Sequence, residues 1–286
     1  MTAQHKIVKR AVRAVAAAAA AKKEAAAAAS ATFQKSHVQA ARSRAAPTER
    51  LQLFYHAVAT PLGPFSLYVD GDGAIRCCHW QHSPPGDVAA LMKEQRDVCA
   101  ALQSRWYKNA SVEMAKPSST STTPGEKAAT LLYRYFNPSS ADAGRPAALE
   151  KVLLQVPVAY PPTTAFMTTT WDVLRQTVPS GETISYKGLG VRVSQALSHA
   201  PSSFSSSSVA VSHAAPRAIG VAMGANPIPV IVPCHRVLSS TNALRGYALG
   251  LRYKVWLLRH EQADVPTEKL RSVEFENAVS SPISLR

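Results

Sequence analysis

The twelve residues Asn226-Pro-Ile-Pro-Val-Ile-Val-Pro-Cys-His-Arg-Val237 constrain this chain more than any other stretch. Val230, Ile231 and Val232, bracketed by Pro229 and Pro233, read as a short buried strand, which sets Cys234 at the mouth of a packed core. A thiol near its ordinary pKa is only slightly ionised at neutral pH, so a reactive one needs an adjacent base held by a third group. His235 is the base candidate. Glu261, in Leu257-Leu-Arg-His-Glu261, is the carboxylate that would hold the imidazole. A Cys-His-Glu relay is the expected chemistry, with Arg236 as a structural tether.

The rest of the chain reads as two folded units between low-complexity ends. Residues 1–49 form an Ala-rich basic tail, 50–160 a first α/β unit, 161–264 a second unit, and 265–286 a closing tail. Leu51 to Val58, Pro64 to Val69 and Ile75 to Trp80 read as strands of a small antiparallel sheet, with Asp70-Gly-Asp-Gly73 as a hairpin turn. Val88, Leu91, Met92, Val98, Cys99 and Leu102 recur at helical spacing, which predicts a helix over about 87–105 whose apolar stripe covers the sheet. Lys116 to Gly125 and Asn137 to Pro146 read as polar loops flanking a helix over 127–136. Further helices are expected over 163–177, with Phe166, Trp171 and Leu174 inward, over about 185–199, and over 214–223. Gly188 and Gly190 weaken the second of these, by about 1 kcal/mol each against alanine.

Charge and cysteine content narrow the class. Net charge is +14, but ten Lys or Arg against Glu24 and Glu49 in residues 1–50 supply +8 of it. Basicity alone is therefore weak evidence that the folded part binds nucleic acid. Cysteines occur at 77, 78, 99 and 234, which is no disulfide framework, so a reduced intracellular protein is expected. The apolar run Ala14 to Ala21 is far short of the roughly 20 residues a membrane helix needs, and no membrane association is expected. Residues 1–47 hold one acid; they read as a nuclear address, a mitochondrial presequence or a solvated appendage.

Pro-Cys-His-Arg-Val after Asn226-Pro, followed by Gly246-Tyr-Ala-Leu-Gly250 and Trp256-Leu-Leu-Arg-His-Glu261, resembles the methylated-DNA–protein-cysteine methyltransferase family, also called O6-alkylguanine-DNA alkyltransferases. Phe166 with Trp171, Gly181-Glu-Thr-Ile-Ser-Tyr186 and Pro216-Arg-Ala-Ile-Gly220 extend the resemblance in order and register. It spans roughly residues 50–262 and is strongest from about 163 onward. The resemblance implies an α+β fold: a small ribonuclease-H-like amino-terminal domain, then a helical winged-helix or helix-turn-helix domain.

It also implies a function, DNA repair by stoichiometric transfer of the alkyl group from O6-alkylguanine, and from O4-alkylthymine, onto Cys234. No cofactor is expected, and the partner is double-stranded DNA, bound by a monomer. By the resemblance, Asn226 orders the thiol and its turn, and Tyr186 serves the flipped base as proton donor. Arg217, Ala218 and Gly220 belong to the DNA-binding helix, with Arg217 as the finger that fills the gap left by the extruded nucleotide. Backbone groups of Cys234, Val237 and Ala248 read the guanine edge, while Pro229, Tyr247 and Leu249 line the pocket. Leu249 stands where a small residue is common, so a narrower rim is expected.

Two departures accompany the resemblance. Tyr186 and Arg217 are 31 residues apart, and the Ser-rich insert 201–208 stretches the turn between the two DNA-binding helices. Some relatives bind structural zinc in the amino-terminal domain, but the corresponding positions here are neither Cys nor His. Cys77, Cys78, His79 and His82 cluster nearby, yet strand neighbours point to opposite faces and no metal is expected. Two other readings stay open: a helix-turn-helix regulator that does not use the thiol, and a Cys-His thiol hydrolase.

Overall fold

The computed structural model describes residues 49–116, 123–198, 214–240, 244 and 247–266. The basic tail, the insert 201–208 and the closing tail from 267 onward lie outside the described residues.

The fold is α+β. Strands β1 (Glu49–Val58), β2 (Phe65–Val69) and β3 (Ile75–Trp80) form where the alternation of apolar residues predicts them. The turn between β2 and β3 closes on Asp70, whose carboxylate accepts from the amides of Asp72 and Ala74 at 3.1 and 2.9 Å. Gly73 takes φ 77° there, a conformation that favours glycine. The expected all-antiparallel sheet needs one correction: a fourth strand, β4 (Ala110–Met114), pairs in parallel with the first half of β1, giving the order β3-β2-β1-β4. Parallel pairing requires a crossover, and helix α1 (Val88–Arg105) between β3 and β4 provides it.

Period two along β2 divides its side chains between two cores. Phe65, Leu67 and Val69 enter the main cluster, whereas Tyr68 meets Leu53, Val98, Cys99, Leu102 and Val112 on the α1 side. Only the second half of α1 covers the sheet. Val88 and Met92 are exposed by 67% and 53%.

Helix α2 (Glu126–Phe136) packs on the other face through Ala128, Leu131, Leu132, Tyr135 and Phe136, a helical stripe. Helix α3 (Pro146–Leu154) occupies part of what the sequence presents as loop and linker, its Pro146 at the first turn. Helix α4 (Ala165–Thr177) buries Trp171 and Leu174 as expected, and Phe166 in part. Two-residue strands β5 (Ile184–Ser185) and β6 (Val237–Leu238) pair in parallel, around helices α5 (Tyr186–Ser198) and α6 (Pro216–Gly224). Helix α7 (Leu251–His260) closes the described chain. One buried cluster runs through the sheet and the later helices, and Trp80 of β3 stacks on Tyr253 of α7 with ring centres 4.1 Å apart. Among the described residues, no helix is long and apolar enough to cross a membrane.

Candidate active site

Val230–Val232 is buried as predicted but is a tight turn, not a strand. Prolines at 227, 229 and 233 remove the amides a ladder would need. Val230 is driven to φ 75°, a conformation that costs a β-branched residue on the order of 1–3 kcal/mol. Asn226 holds this turn from inside. Its Oδ1 accepts from the Ile228 amide at 3.0 Å, and its Nδ2 donates to the Val232 carbonyl at 2.9 Å. The same Nδ2 lies 3.2 Å from Cys234 Sγ, so one side chain sets both the turn and the thiol.

Cys234–Arg236 form a single 3-10 turn, which sends consecutive side chains in different directions. His235 and Arg236 are fully buried and converge on Glu261, also fully buried, which follows the last residue of α7. His235 Nε2 is 3.1 Å from Glu261 Oε2. Arg236 binds the same carboxylate with two nitrogens, Nε to Oε2 at 2.9 Å and Nη2 to Oε1 at 2.7 Å, the strong paired geometry. It also donates to Glu150 Oε2 (2.9 Å), the Val178 carbonyl (2.6 Å) and Ser180 Oγ (2.8 Å). Arg236 is thus the tether the sequence suggests.

The tether gains a partner that sequence reading missed. Tyr135, on α2, donates its hydroxyl to Glu261 Oε1 at 2.7 Å. The first half of the chain thereby helps to hold the carboxylate behind the active-site imidazole.

Electrostatics define the resting protonation state. Burial would raise the Glu261 carboxyl, but Arg236 and then His235 outweigh it and hold it well below the usual carboxylate range. Burial lowers the His235 pKa against the pull of Glu261, so the imidazole rests neutral and can accept a proton. Burial likewise raises the Cys234 thiol, opposed by Asn226 and Lys254. The pair at rest is therefore a protonated thiol beside a neutral base. Glu261 stands 3.1 Å from His235 Nε2, and His235 Nδ1 is buried with no hydrogen-bond partner among the described residues.

Cys234 opens on a cavity of about 270 Å³. Tyr186, Asn226, Pro229, Tyr247, Ala248 and Leu249 line it. The β5–β6 pairing, Ile184 with Val237 and Ser185 with Leu238, brings the start of α5 beside the end of the Cys234 turn. Burial and the nearby thiol push both Tyr186 and Tyr247 up, so both phenols stay protonated. Lys254 was not singled out from the sequence, yet it is buried and donates to the Val237 carbonyl at 3.0 Å. Burial pulls its pKa down to about 8, opposed by Cys234. Val237 itself stands apart from the expected pocket set. It is fully buried outside the cavity wall, its amide donates to the Cys234 carbonyl, and its own carbonyl accepts from Lys254.

Helices α5 and α6 pack against each other and against α4, where Trp171 Nε1 donates to the Ala222 carbonyl at 2.9 Å. Ser185 caps α5 through the Gly188 amide at 3.0 Å. Gly190, which weakens a helix in isolation, is required here: a Cβ would sit 2.3 Å from the Ala214 carbonyl oxygen. Arg217 is exposed in the first turn of α6. Ala218 is half-buried behind it, and Gly220 lines the cavity, leaving room for the Tyr186 ring, whose Cε1 would lie 4.0 Å from a Cβ there. Helix α6 thus carries an exposed arginine in its first turn and lends Gly220, Met223 and Gly224 to the cavity that holds Cys234.

Several known proteins are similar to this chain. The family described as 6-O-methylguanine DNA methyltransferase, DNA binding domain, matches residues 165–263. The methylated-DNA–protein-cysteine methyltransferase of Salmonella typhimurium is 30% identical over 211 residues, 74% of this chain and 96% of that protein. The human protein of the same name is 41% identical over 91 residues, 32% of this chain and 35% of its own length. Among solved structures, Mycobacterium tuberculosis OGT in complex with DNA aligns with a TM-score of 0.46 at 22% identity, covering 76% of this chain and 98% of that one. The chain belongs to the methylated-DNA–protein-cysteine methyltransferase family, enzymes that repair DNA by transferring an alkyl group to protein.

Proposed function

We propose that the protein removes the alkyl group from O6-alkylguanine, and from O4-alkylthymine, in double-stranded DNA and keeps it on Cys234, one group per molecule, acting as a monomer. The observation that carries this reading is the convergence of Asn226 on Cys234 Sγ at 3.2 Å and of Glu261 on the adjacent His235 at 3.1 Å, beside one cavity.

The reaction is a displacement at carbon. His235 takes the thiol proton through a water molecule, and the imidazolium that forms is stabilised by Glu261, which Arg236 and Tyr135 hold in place. The sulfur attacks the alkyl carbon as the carbon–O6 bond breaks. Guanine leaves as a neutral base once Tyr186 donates a proton, a role a phenol held within reach can fill for roughly 10²–10⁴-fold. An O6 atom inside the stack cannot meet a buried thiol, so the nucleotide is extruded and Arg217 fills its place. Tyr247 and Pro229 line the pocket, and the backbone at Cys234 and Ala248 supplies polar groups to the base edge. The product is a thioether, a poor leaving group, and no second nucleophile in the proposed mechanism takes the alkyl group onward; the protein is therefore consumed.

A duplex carrying methyl-labelled O6-methylguanine tests the proposal. The expected result is a burst of one methyl per protein, found on Cys234 by mass spectrometry and absent from Cys234→Ser. Multiple turnovers, or label on another residue, would overturn it. Hydrolysis of peptide or ester substrates would favour a thiol hydrolase, and binding without transfer a regulator.

A further inference from the structure

The cavity wall opposite α6 carries a second group of chemistry-bearing residues that methyl transfer does not use. His79 ends β3 beside Trp80, His82 lies in the loop that follows, and Glu94 reaches them from α1. One donor atom from each lies within 4.8 Å of those of the other two. Glu94 Oε1 stands 3.4 Å from His79 Nδ1 and 3.5 Å from His82 Nδ1. These contacts gather the three side chains through Nδ1 of each imidazole, which leaves Nε2 of His79 as the nitrogen free to ligate.

An unused lone pair suits an ion. His79 is buried. Nδ1 lies 2.9 Å from the Trp80 carbonyl and donates to it. Nε2 then carries the lone pair, and it is buried with no partner among the described residues. One ring nitrogen on a backbone carbonyl and the other open is the arrangement that orients ligating histidines. The amides of His82 and Ser83 donate to the Glu94 carboxylate at 2.7–3.2 Å and fix its orientation. His82 is exposed, which leaves a path for entry from solvent. Two imidazoles and a carboxylate form a donor set suited to zinc, with the fourth position left for solvent or an exogenous ligand.

We propose that His79, His82 and Glu94 bind one zinc-class divalent ion in the wall of the reaction cavity, clasping β3 and the following loop to α1. Such a clasp would fix the face of the cavity that the first half of the chain contributes, because His79 and His82 line it together with Cys234. The expectation that no metal binds rested on Cys77 and Cys78 diverging along one strand. Glu94 changes the outcome by arriving from a helix.

The full-length protein, stripped with chelator, is titrated with Zn²⁺ against a chromophoric competitor, and in parallel with Co²⁺. One equivalent should bind, with affinity at least tenfold weaker in His82→Ala and in Glu94→Gln and unchanged in Cys234→Ser. The Co²⁺ form should lack a thiolate charge-transfer band. His82→Ala is the decisive variant because an exposed side chain can be removed without loosening the core. Absence of binding in the wild type, equal affinity in His82→Ala, or loss of binding in Cys234→Ser with a thiolate band in the wild type would each overturn the site. None of these readouts depends on methyl transfer.

Discussion

The buried cluster behind Cys234 and the exposed start of helix α6 are built by opposite rules. His235, Arg236 and Glu261 are wholly buried, and one guanidinium makes five hydrogen bonds to hold a carboxylate in one orientation. Arg217 stands exposed on a short helix, with Val221 half-exposed one turn further on. A buried charge is stable only while its partners remain, so the relay ties chemistry to folding. An exposed charge can serve a ligand without the fold depending on it. Substitutions in the first region should therefore damage stability and reaction together, and those in the second should separate them.

Glu261→Gln is the strongest test of that contrast. It leaves the buried Arg236 without its main counter-charge, which should cost on the order of 3–5 kcal/mol in urea unfolding along with most of the transfer rate. An unshifted midpoint would break the comparison from the relay side. Arg217→Ala attacks it from the other side: transfer from duplex should fall by roughly 10²-fold, on the scale of the unstacking energy of a few kcal/mol. Stability should stay within about 0.5 kcal/mol, and transfer from a single strand should suffer less, as stopped-flow on both substrates would reveal. Equal loss on both strands would deny Arg217 a role in extrusion.

Tyr135→Phe sharpens the comparison within the relay. Loss of one hydrogen bond to a charged group should cost about 1.5–3 kcal/mol of stability, with transfer slowed less than in Glu261→Gln. The smallest effect is that of pH. His235 has a lowered pKa when folded, so on acidification through its ordinary value of 6.5 the unfolded chain takes up a proton that the native state refuses. Stability should then fall with decreasing pH by at most about 1.4 kcal/mol per unit for that one group. Glu261, also lowered, adds a further loss below its ordinary 4.5. The transfer rate should hold through that range and drop only at lower pH, where the native His235 itself takes up a proton. Urea midpoints at several pH values check the first, and burst rates the second; a rate that rises on acidification would mean that His235 is not the base.

Much of this was legible in the residues. The strands and most helices follow from periodicity, because burial on one face acts on each residue locally. Asn226, Cys234 and His235 are close in sequence, so their grouping needed no fold. Tyr135 and Lys254 escaped notice because their roles depend on what they meet: Tyr135 contacts Glu261 across 126 positions. The misread strand at Val230–Val232 has the same origin as its correct burial. Apolar content predicts the interior, but the prolines on either side decide that the backbone turns.

From its order of residues alone, the chain determined the strands and most helices of its α+β architecture and marked Cys234, His235 and Glu261 as the candidate thiol, base and carboxylate. Each of these is written in short-range pattern and in side-chain chemistry that does not change with context. Tertiary structure alone decided that Arg236 and Tyr135 share that carboxylate, that Gly190 lies against the Ala214 carbonyl leading into α6, and that Glu94 meets two histidines beside the cavity. Those outcomes depend on distances between segments remote in sequence, set only when the cores on both sides of the sheet close.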